Sequence, residues 1–191
     1  MTPRRILIAC LMLPFAIGLL YAAYCGPLIW SGNIHTVTEG QLYRSAELSR
    51  EGFAREIDAH HIRSVLNLRG PNPDSGWYRA EVTVTREHGA EHYDVGISAR
   101  KPVPEDKLEQ ILMILRSAPR PILVHCSSGS DRTGFVSALY RYAIEGRTAG
   151  EAERELSLVY GHFPYLLSRS GAMNHSAEAY FARHAPFSQG Q

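Results

Sequence analysis

The chain has 191 residues and a nearly balanced charge, with 20 Lys and Arg against 19 Asp and Glu and a formal net charge of +1. This length is enough for one domain with a substantial hydrophobic core. The sequence contains no basic block of the kind that follows a nucleic acid backbone, so we expect no nucleic-acid binding.

The N-terminal segment carries two arginines, Arg4 and Arg5, followed by 25 residues without a charged side chain, Ile6–Trp30. Such a run is long enough to cross a bilayer, and its mediocre cleavage site favours an uncleaved transmembrane helix over a signal peptide. The positive-inside rule then places the rest of the chain on the non-cytoplasmic side of the membrane. The alternatives are secretion after signal cleavage and a buried core helix. We therefore expect a membrane anchor and short linker over residues 1–35 and one domain over residues 36–191.

The predicted elements of this domain alternate between strands and helices. Short apolar runs predict buried strands, and apolar residues at helical spacing predict helices. In chain order the elements are a strand from Leu42, a helix from the Ser49 cap to about His60, a strand over Arg63–Leu68, a helix over Trp77–His88, a strand over Glu91–Ile97, a helix over Pro104–Ser117, a strand over Pro121–Val124, and helices over Phe135–Ile144, Ala149–Tyr160 and Asn174–His184. This alternation implies an α/β fold, with a central, mostly parallel sheet flanked by helices. In such sheets ligands bind beyond the carboxyl ends of the strands.

The most informative segment follows the strand that ends at Val124 and reads His-Cys-Ser-Ser-Gly-Ser-Asp-Arg-Thr-Gly, residues 125–134. It precedes a helix, whose first N–H groups have no internal partners and carry partial positive charge. Gly129 can adopt the positive φ that a tightly curled loop requires, and Arg132 has a planar fork that matches two phosphate oxygens. Cys126 lies in the same field, which favours the thiolate over the thiol. The sequence therefore predicts a phosphate-binding loop with a cysteine nucleophile.

The decapeptide resembles the Cys-x5-Arg signature of the protein tyrosine phosphatase superfamily, and Gln41–Ala46 resembles a Tyr-Arg-Ser segment of its atypical dual-specificity and bacterial branch. The resemblance implies the cysteine phosphatase fold and hydrolysis of phosphomonoesters through a phosphocysteine on Cys126. It also implies that Arg132 grips the phosphate, that His125 braces the loop and that Thr133 hydrogen-bonds the thiolate. Neither a metal nor another cofactor is expected, because backbone N–H groups and Arg132 supply the charge stabilisation. The expected substrate-binding residues are Ser127, Ser128, Gly129, Ser130 and Arg132, and the supporting residues are His125, Thr133 and Gly134.

The general acid that protonates the leaving group has two main candidates. Asp94 lies 32 residues before Cys126, near the end of a predicted strand, which resembles the position of the acid in many members of the superfamily. Asp131 directly precedes Arg132, where some phosphoinositide-type members keep theirs. We favour Asp94 over Asp131, and the remaining candidates are Glu91, Asp74 and Asp106.

The loop carries serines at its variable positions, where relatives that act on inositol phosphates or phosphoinositides often carry lysine. This favours a phosphorylated protein, through phosphotyrosine or dual specificity, or a small phosphomonoester as substrate. Arg100, Lys101 and the aromatic segment 160–165 are candidates for the wall of the site, or are surface and packing residues. The alternatives are a phosphoinositide or inositol phosphate phosphatase, a catalytically silent phosphate-binding relative, and a thiol redox or sulfur-transfer enzyme. The sequence leaves the oligomeric state open.

Overall fold

The computed structural model describes residues 3–165 and 168–185 of the chain. Its helices are α1 Pro3–Trp30, α2 Arg50–His60, α3 Gly76–Glu87, α4 Glu105–Ser117, α5 Asp131–Ala143, α6 Ala149–Ala152 and α7 Gly171–Arg183. Its strands are β1 His35–Thr38, β2 Leu42–Ser45, β3 Ser64–Asn67, β4 Glu91–Asp94 and β5 Ile122–His125. Two 3₁₀ turns, Glu153–Glu155 and Leu158–Tyr160, lie between α6 and α7.

The strands form one sheet in the order β1-β2-β5-β3-β4, in which β1 is antiparallel to β2 and the other pairings are parallel. The mostly parallel sheet that the sequence predicts is thus confirmed. β5 is central and fully buried, because an apolar strand is stable where helices cover both of its faces. The register places Ser45, His125, Asn67 and Asp94 side by side at the carboxyl edge of the sheet. The loop that leaves β5 therefore begins among polar side chains of four strands.

Side chains of each strand alternate between the two faces of the sheet. One face, with Tyr43, Val65 and Leu123, packs against α2 and α3. The opposite face, with Leu42, Leu66 and Val124, packs against α4, α5 and α7. The loop that follows β5 therefore runs over the carboxyl edge of the sheet and leads into α5, which packs on this second face.

The clearest departure from the predicted elements lies in residues 149–160, where one long helix was expected. A capping box at Thr148 starts α6, but the helix ends at Ala152 and two 3₁₀ turns follow. Both the carbonyl and the carboxylate of the buried Glu155 accept hydrogen bonds from Arg44, at 3.0 and 2.8 Å. The hydrogen bonds from the buried Arg44 hold Glu155 in this turn, so a tertiary contact outweighs the helical periodicity here.

The N-terminal segment forms helix α1, but the prediction that it anchors the chain in a membrane was wrong. Across residues 3–165 and 168–185, no helix combines the length and the apolar character that crossing a bilayer requires. Tyr21 and Tyr24 contact the folded domain: the Tyr21 ring packs on Phe163 at 5.4 Å, and the Tyr24 hydroxyl donates to the Val159 carbonyl at 2.9 Å. The single-pass topology and the non-cytoplasmic or secreted location inferred from this segment were therefore wrong.

Candidate active site

The 126–130 loop connects the end of β5 to the start of α5 at the carboxyl edge of the sheet. Its first residue, Cys126, is only 1% exposed. Gly129 has a φ of 71°, a conformation that glycine adopts without the strain other residues incur. A Cβ atom at Gly129 would lie 2.7 Å from the backbone nitrogen of Ala46. The loop is therefore curled tightly against the end of β2.

Three consecutive carbonyl groups of the loop point outward. Those of Ser127, Ser128 and Gly129 accept hydrogen bonds from Glu47 N, Asn33 Nδ2 and Arg44 Nη2, at 3.3, 2.9 and 2.9 Å. In a trans peptide the C=O and the following N–H point in opposite directions, so the next three N–H groups point toward the concave side of the loop. None of these N–H groups donates to an acceptor within the described residues. Free backbone amides around a cysteine form a site suited to an anion.

Arg44 supports the loop from behind and is fully buried. Besides Gly129, its Nη2 donates to the Ser130 carbonyl at 3.4 Å, while its Nη1 pairs with the Glu155 carboxylate at 2.8 Å. Its guanidinium also lies over the Tyr160 ring, 3.9 Å from the centroid. Burial lowers the pKa of Arg44, but the guanidinium stays charged because its ordinary value is so high. The side chain therefore fixes the outward direction of the loop carbonyls.

Arg132 is anchored through one of its terminal nitrogens. Its Nη1 donates to the carbonyls of Leu68 and Ile97, at 3.2 and 3.4 Å. Its Nε is buried and has no hydrogen-bond partner among the described residues. The two carbonyls thus orient the planar fork, while an unused donor remains for an acceptor such as a phosphate oxygen.

A buried carboxylate, Glu81 of α3, lies behind His125. Its Oε1 accepts hydrogen bonds from His125 Nε2 at 3.0 Å and from His92 Nε2 at 2.7 Å. Burial raises the pKa of Glu81, but the two histidines outweigh this effect and hold the pKa at about 2. Glu81 therefore stays ionised and fixes the orientation of the imidazole directly before Cys126.

The two residues after Arg132 lie where α5 packs against its neighbours. The Thr133 hydroxyl is buried and, within the described ranges, has no hydrogen-bond partner, so it is available to a thiolate. A Cβ atom at Gly134 would lie 2.7 Å from the Glu155 carbonyl. Only glycine permits this close approach of α5 to the turn that contains Glu155.

Asp94 lies at the end of β4, two strands away from β5. Its two carboxylate oxygens accept hydrogen bonds from Asn67 Nδ2 at 2.9 Å and from the Tyr78 hydroxyl at 2.5 Å. Burial, together with the bond to Asp94, raises the pKa of Tyr78 to about 12, so this hydroxyl remains a donor. Asp94 is thus occupied by structural partners on the α3 side of the sheet. The other candidates, Glu91, Asp74 and Asp106, are exposed.

Asp131, the first residue of α5, lines a cavity of about 460 Å³ next to the loop. Its Oδ1 contacts Nδ1 of the fully buried His162 at 2.6 Å. The same cavity is lined by Arg100 and Arg169. The structure therefore brings Asp131, and not Asp94, to a cavity beside the cysteine loop.

A further arginine near the loop, Arg69, was not expected from the sequence. Arg69 follows β3, and its guanidinium lies 3.6 Å from the centroid of the Trp77 ring. Burial lowers the pKa of Arg69, and the positive charge of Arg132 lowers it further, which places the two cations near each other.

In the described part of the chain, no three His, Cys, Asp or Glu side chains are grouped as metal ligands.

Comparison with known proteins identifies the family to which this loop belongs. The sequence model of the tyrosine phosphatase family matches residues 31–147, which is more than half of the chain. The chain belongs to the tyrosine phosphatase family. The resemblance carried by the decapeptide is thereby confirmed, and membership supports hydrolysis of phosphate esters.

Two curated relatives of this tyrosine phosphatase family chain are named as inositol diphosphatases. The rice (Oryza sativa subsp. japonica) enzyme DSP1 is 33% identical over 61% of this chain and 52% of its own length. The Saccharomyces cerevisiae enzyme SIW14 is 29% identical over 53% of this chain and 37% of its own length. The chain therefore spans about half the length of these relatives or less.

Solved structures of two similar proteins share the fold. P. aeruginosa TpbA has a TM-score of 0.62 at 20% identity, covering 80% of this chain and 91% of its own. The core catalytic domain of S. cerevisiae SIW14, in complex with citrate, has a TM-score of 0.60 at 23% identity, covering 79% and 89%. At these identities the likeness is evidence for the fold alone.

Sequence reasoning missed three residues that support the loop, Asn33, Arg44 and Glu81, and it included His162 only as part of the aromatic segment 160–165. Asn33 lies within the segment assigned to the linker, yet its amide is buried and donates to Ser128 and Tyr160 carbonyls. The one available signal was the Tyr-Arg-Ser resemblance, which contains Arg44.

Proposed function

We propose that the chain is a metal-independent cysteine phosphatase that hydrolyses phosphomonoesters through a phosphocysteine intermediate. The observation that carries this proposal is the outward direction of three loop carbonyls, which leaves three N–H groups and the Nε of Arg132 unused around Cys126. A phosphate with three equatorial oxygens needs such converging donors. Donors that are already in place stabilise the charge of the transition state without reorganisation.

The first half-reaction uses Cys126 as the nucleophile. The thiolate sulfur attacks phosphorus, an S–P bond forms, and the bond between phosphorus and the leaving oxygen breaks. The electron pair of that bond stays on the leaving oxygen, which takes a proton from an acid of the enzyme. Arg132 and the loop amides hold the equatorial oxygens throughout, and the Thr133 hydroxyl is placed to hydrogen-bond the sulfur.

The second half-reaction returns the enzyme to its starting state. Water attacks the phosphocysteine, the S–P bond breaks, and the thiolate and inorganic phosphate are released. The carboxylate left by the first step takes the proton of the attacking water. One carboxyl group therefore serves as acid and then as base, and it must reach the axial position opposite Cys126.

We assign this role to Asp131, although the sequence spacing favours Asp94. Asp131 directly precedes Arg132 and lines the cavity next to the loop. Asp94 instead accepts hydrogen bonds from Asn67 and Tyr78 with both oxygens, so its carboxylate is engaged on the α3 side of the sheet.

The acid is identified by the dependence on the leaving group. We expect Asp131→Asn to lower kcat with phenyl phosphate, a poor leaving group, by about 10²–10⁴-fold and to affect 2,4-dinitrophenyl phosphate far less. Asp94→Asn is the matched control and should lower both activities by a similar small factor. The opposite ranking of the two variants would restore Asp94 as the acid.

A second candidate substrate carries further phosphate groups close to the one removed. Arg100 and Arg169 line the cavity next to the loop, and Arg69, which pairs with Glu47, lies near Arg132, so cationic side chains compensate for the absence of lysine in the loop. The names of the curated relatives, inositol diphosphatases, favour the same class. A phosphotyrosine substrate would leave these arginines without phosphate partners.

A substrate panel separates the two candidates. Turnover of an inositol diphosphate and of a phosphotyrosine peptide is measured without added metal, with Cys126→Ser as the test of the nucleophile. If neighbouring phosphates bind the cavity, Arg169→Gln should lower kcat/KM for the inositol diphosphate about tenfold or more, since a hydrogen bond to a charged group contributes about 1.5–3 kcal/mol. It should leave the peptide unchanged, and Arg116→Gln on α4 should change neither. Equal effects of Arg169→Gln on both substrates would exclude this second candidate.

A further inference from the structure

A buried histidine that the proposed mechanism does not use contacts the proposed acid. His162 lies between the second 3₁₀ turn and α7 and is fully buried. Its Nδ1 is 2.6 Å from Asp131 Oδ1, and its Nε2 is 2.8 Å from Asn174 Oδ1 on α7. Both ring nitrogens are therefore occupied, one by the carboxyl group of Asp131 and one by an amide oxygen.

The hydrogen bonds determine where the protons lie. An amide oxygen can only accept, so the Nε2 of His162 carries a hydrogen. If the imidazole is neutral, its Nδ1 is a bare acceptor, and the proton of the 2.6 Å contact comes from a protonated Asp131. If the imidazole is charged, its Nδ1 donates to the Asp131 carboxylate. In both arrangements the contact holds one proton, which can reside on either partner.

Charged and titratable side chains surround the pair of Asp131 and His162. The groups near Asp131 are Arg132 on α5, Arg100 and Arg169 in the shared cavity, and Tyr21 on α1. Burial, with smaller effects of Cys25 and Asp131, raises the pKa of Tyr21, so its phenol stays neutral. The three arginines are cations, so the pair lies among positive charges. An isolated carboxyl already loses its proton near pH 4, whereas an imidazole keeps one to about pH 6.5.

We propose that His162 is a positioning residue that keeps a transferable proton on the Asp131–His162 pair and holds the carboxyl group toward the cavity. This inference rests on the proposed function, in which Asp131 is the acid. The His162 end of the pair is fully buried, while the Asp131 side chain is 26% exposed, so the proton leaves through Asp131. Asn174 fixes the ring by accepting from Nε2.

The proton balance through one turnover follows from this arrangement. As the bond from phosphorus to the leaving oxygen breaks, Asp131 gives its proton to that oxygen and becomes a carboxylate beside a neutral His162. When water attacks the phosphocysteine, the proton of the water returns to Asp131. The pair thus begins and ends each cycle with one proton, and His162 forms no bond to the substrate.

The test compares His162→Gln with the wild-type full chain. Glutamine can still form hydrogen bonds with both neighbours, but it cannot hold a proton. We expect kcat for phenyl phosphate to fall about tenfold to a hundredfold, and kcat for 2,4-dinitrophenyl phosphate to change less than about threefold. The alkaline limb of the pH profile for phenyl phosphate should move to lower pH. In an Asp131→Asn background the added His162→Gln change should cost nothing further, since the two residues act as a unit.

His88→Gln is the matched control, because His88 Nδ1 contacts Asp58 Oδ1 at 2.7 Å on the surface, far from the loop. It should leave both activities and the pH profile unchanged. Should His162→Gln fail to fold, Asn174→Ala, which removes only the acceptor of Nε2, is expected to shift the same pH limb in the same direction. Equal losses on both substrates with an unmoved pH profile, in whichever variant folds, would show a purely structural role and overturn the inference. Loss of the proposed function is distinguishable, since Cys126→Ser would then leave the wild-type turnover intact.

Discussion

Replacing Arg44 with methionine tests whether the loop depends on support from behind. Methionine fills a similar length, but it leaves the buried Glu155 carboxylate with Arg141, at 3.3 Å, as its remaining cation. It also leaves the Gly129 carbonyl without its donor, while the Ser130 carbonyl keeps the backbone N–H of Gly134 at 2.8 Å. Removing one partner of a buried ion pair costs about 3–5 kcal/mol. At about 2–4 °C per kcal/mol for a domain of this size, the Tm should fall by about 6–20 °C.

The assay is urea unfolding, read from the midpoint at an unchanged slope. The double variant Arg44→Met/Glu155→Gln should be more stable than Arg44→Met alone, because it removes the buried carboxylate that has lost its closer cation. Arg50→Met is the control: Arg50 pairs with Glu87 on the surface, where such pairs contribute about 0–1 kcal/mol. A loss below about 1 kcal/mol for Arg44→Met, or a double variant that is no more stable, would refute this role of Arg44.

Two further changes probe the loop and its buried support. Gly129→Ala should abolish turnover and lower stability by more than Gly40→Ala. Both glycines have positive φ, 71° and 66°, but of the two only Gly129 lies so close to backbone that an added Cβ would meet it, at 2.7 Å. Equal effects of the two changes in urea unfolding and phosphatase assays would show that this close contact is unimportant. Because the fold lowers the pKa of Glu81 from 4.5 to about 2, its contribution of roughly 3 kcal/mol is complete above pH 4.5 and is lost as the pH falls toward 2. Glu81→Gln should therefore be less stable than wild type near neutral pH and lose less stability on acidification, and parallel pH curves of the two proteins would contradict this.

Cys126 and Arg132, the proposed nucleophile and phosphate-binding arginine, could be picked out because they lie in one short segment between a strand and a helix. The sheet was predictable for a similar reason, since apolar runs and helical spacing are local patterns. The residues that direct the loop carbonyls are not local. Asn33 donates to a carbonyl 95 residues later, and Arg44 to one 85 residues later, so no window of sequence contains both partners.

The general acid illustrates the limit of spacing along the chain. Asp94 lies 32 residues before Cys126, as the acid does in many members of the superfamily, but spacing does not show that Tyr78 and Asn67 occupy its carboxylate.

The N-terminal segment shows that composition alone does not predict where a helix packs. A charge-free run predicts a membrane helix, whereas the contacts of Tyr21 with Phe163 become visible only in the folded chain.

The central claim is that phosphate passes through a covalent bond to Cys126. The most direct test is rapid acid quenching of the Asp131→Asn chain during reaction with 2,4-dinitrophenyl phosphate, followed by mass spectrometry of its peptides. Loss of the group that activates water should slow the second half-reaction, so the intermediate accumulates. We expect one phosphoryl group on the peptide that contains Cys126. Continued turnover with that peptide unmodified, or a phosphoryl group on another residue, would contradict the claim.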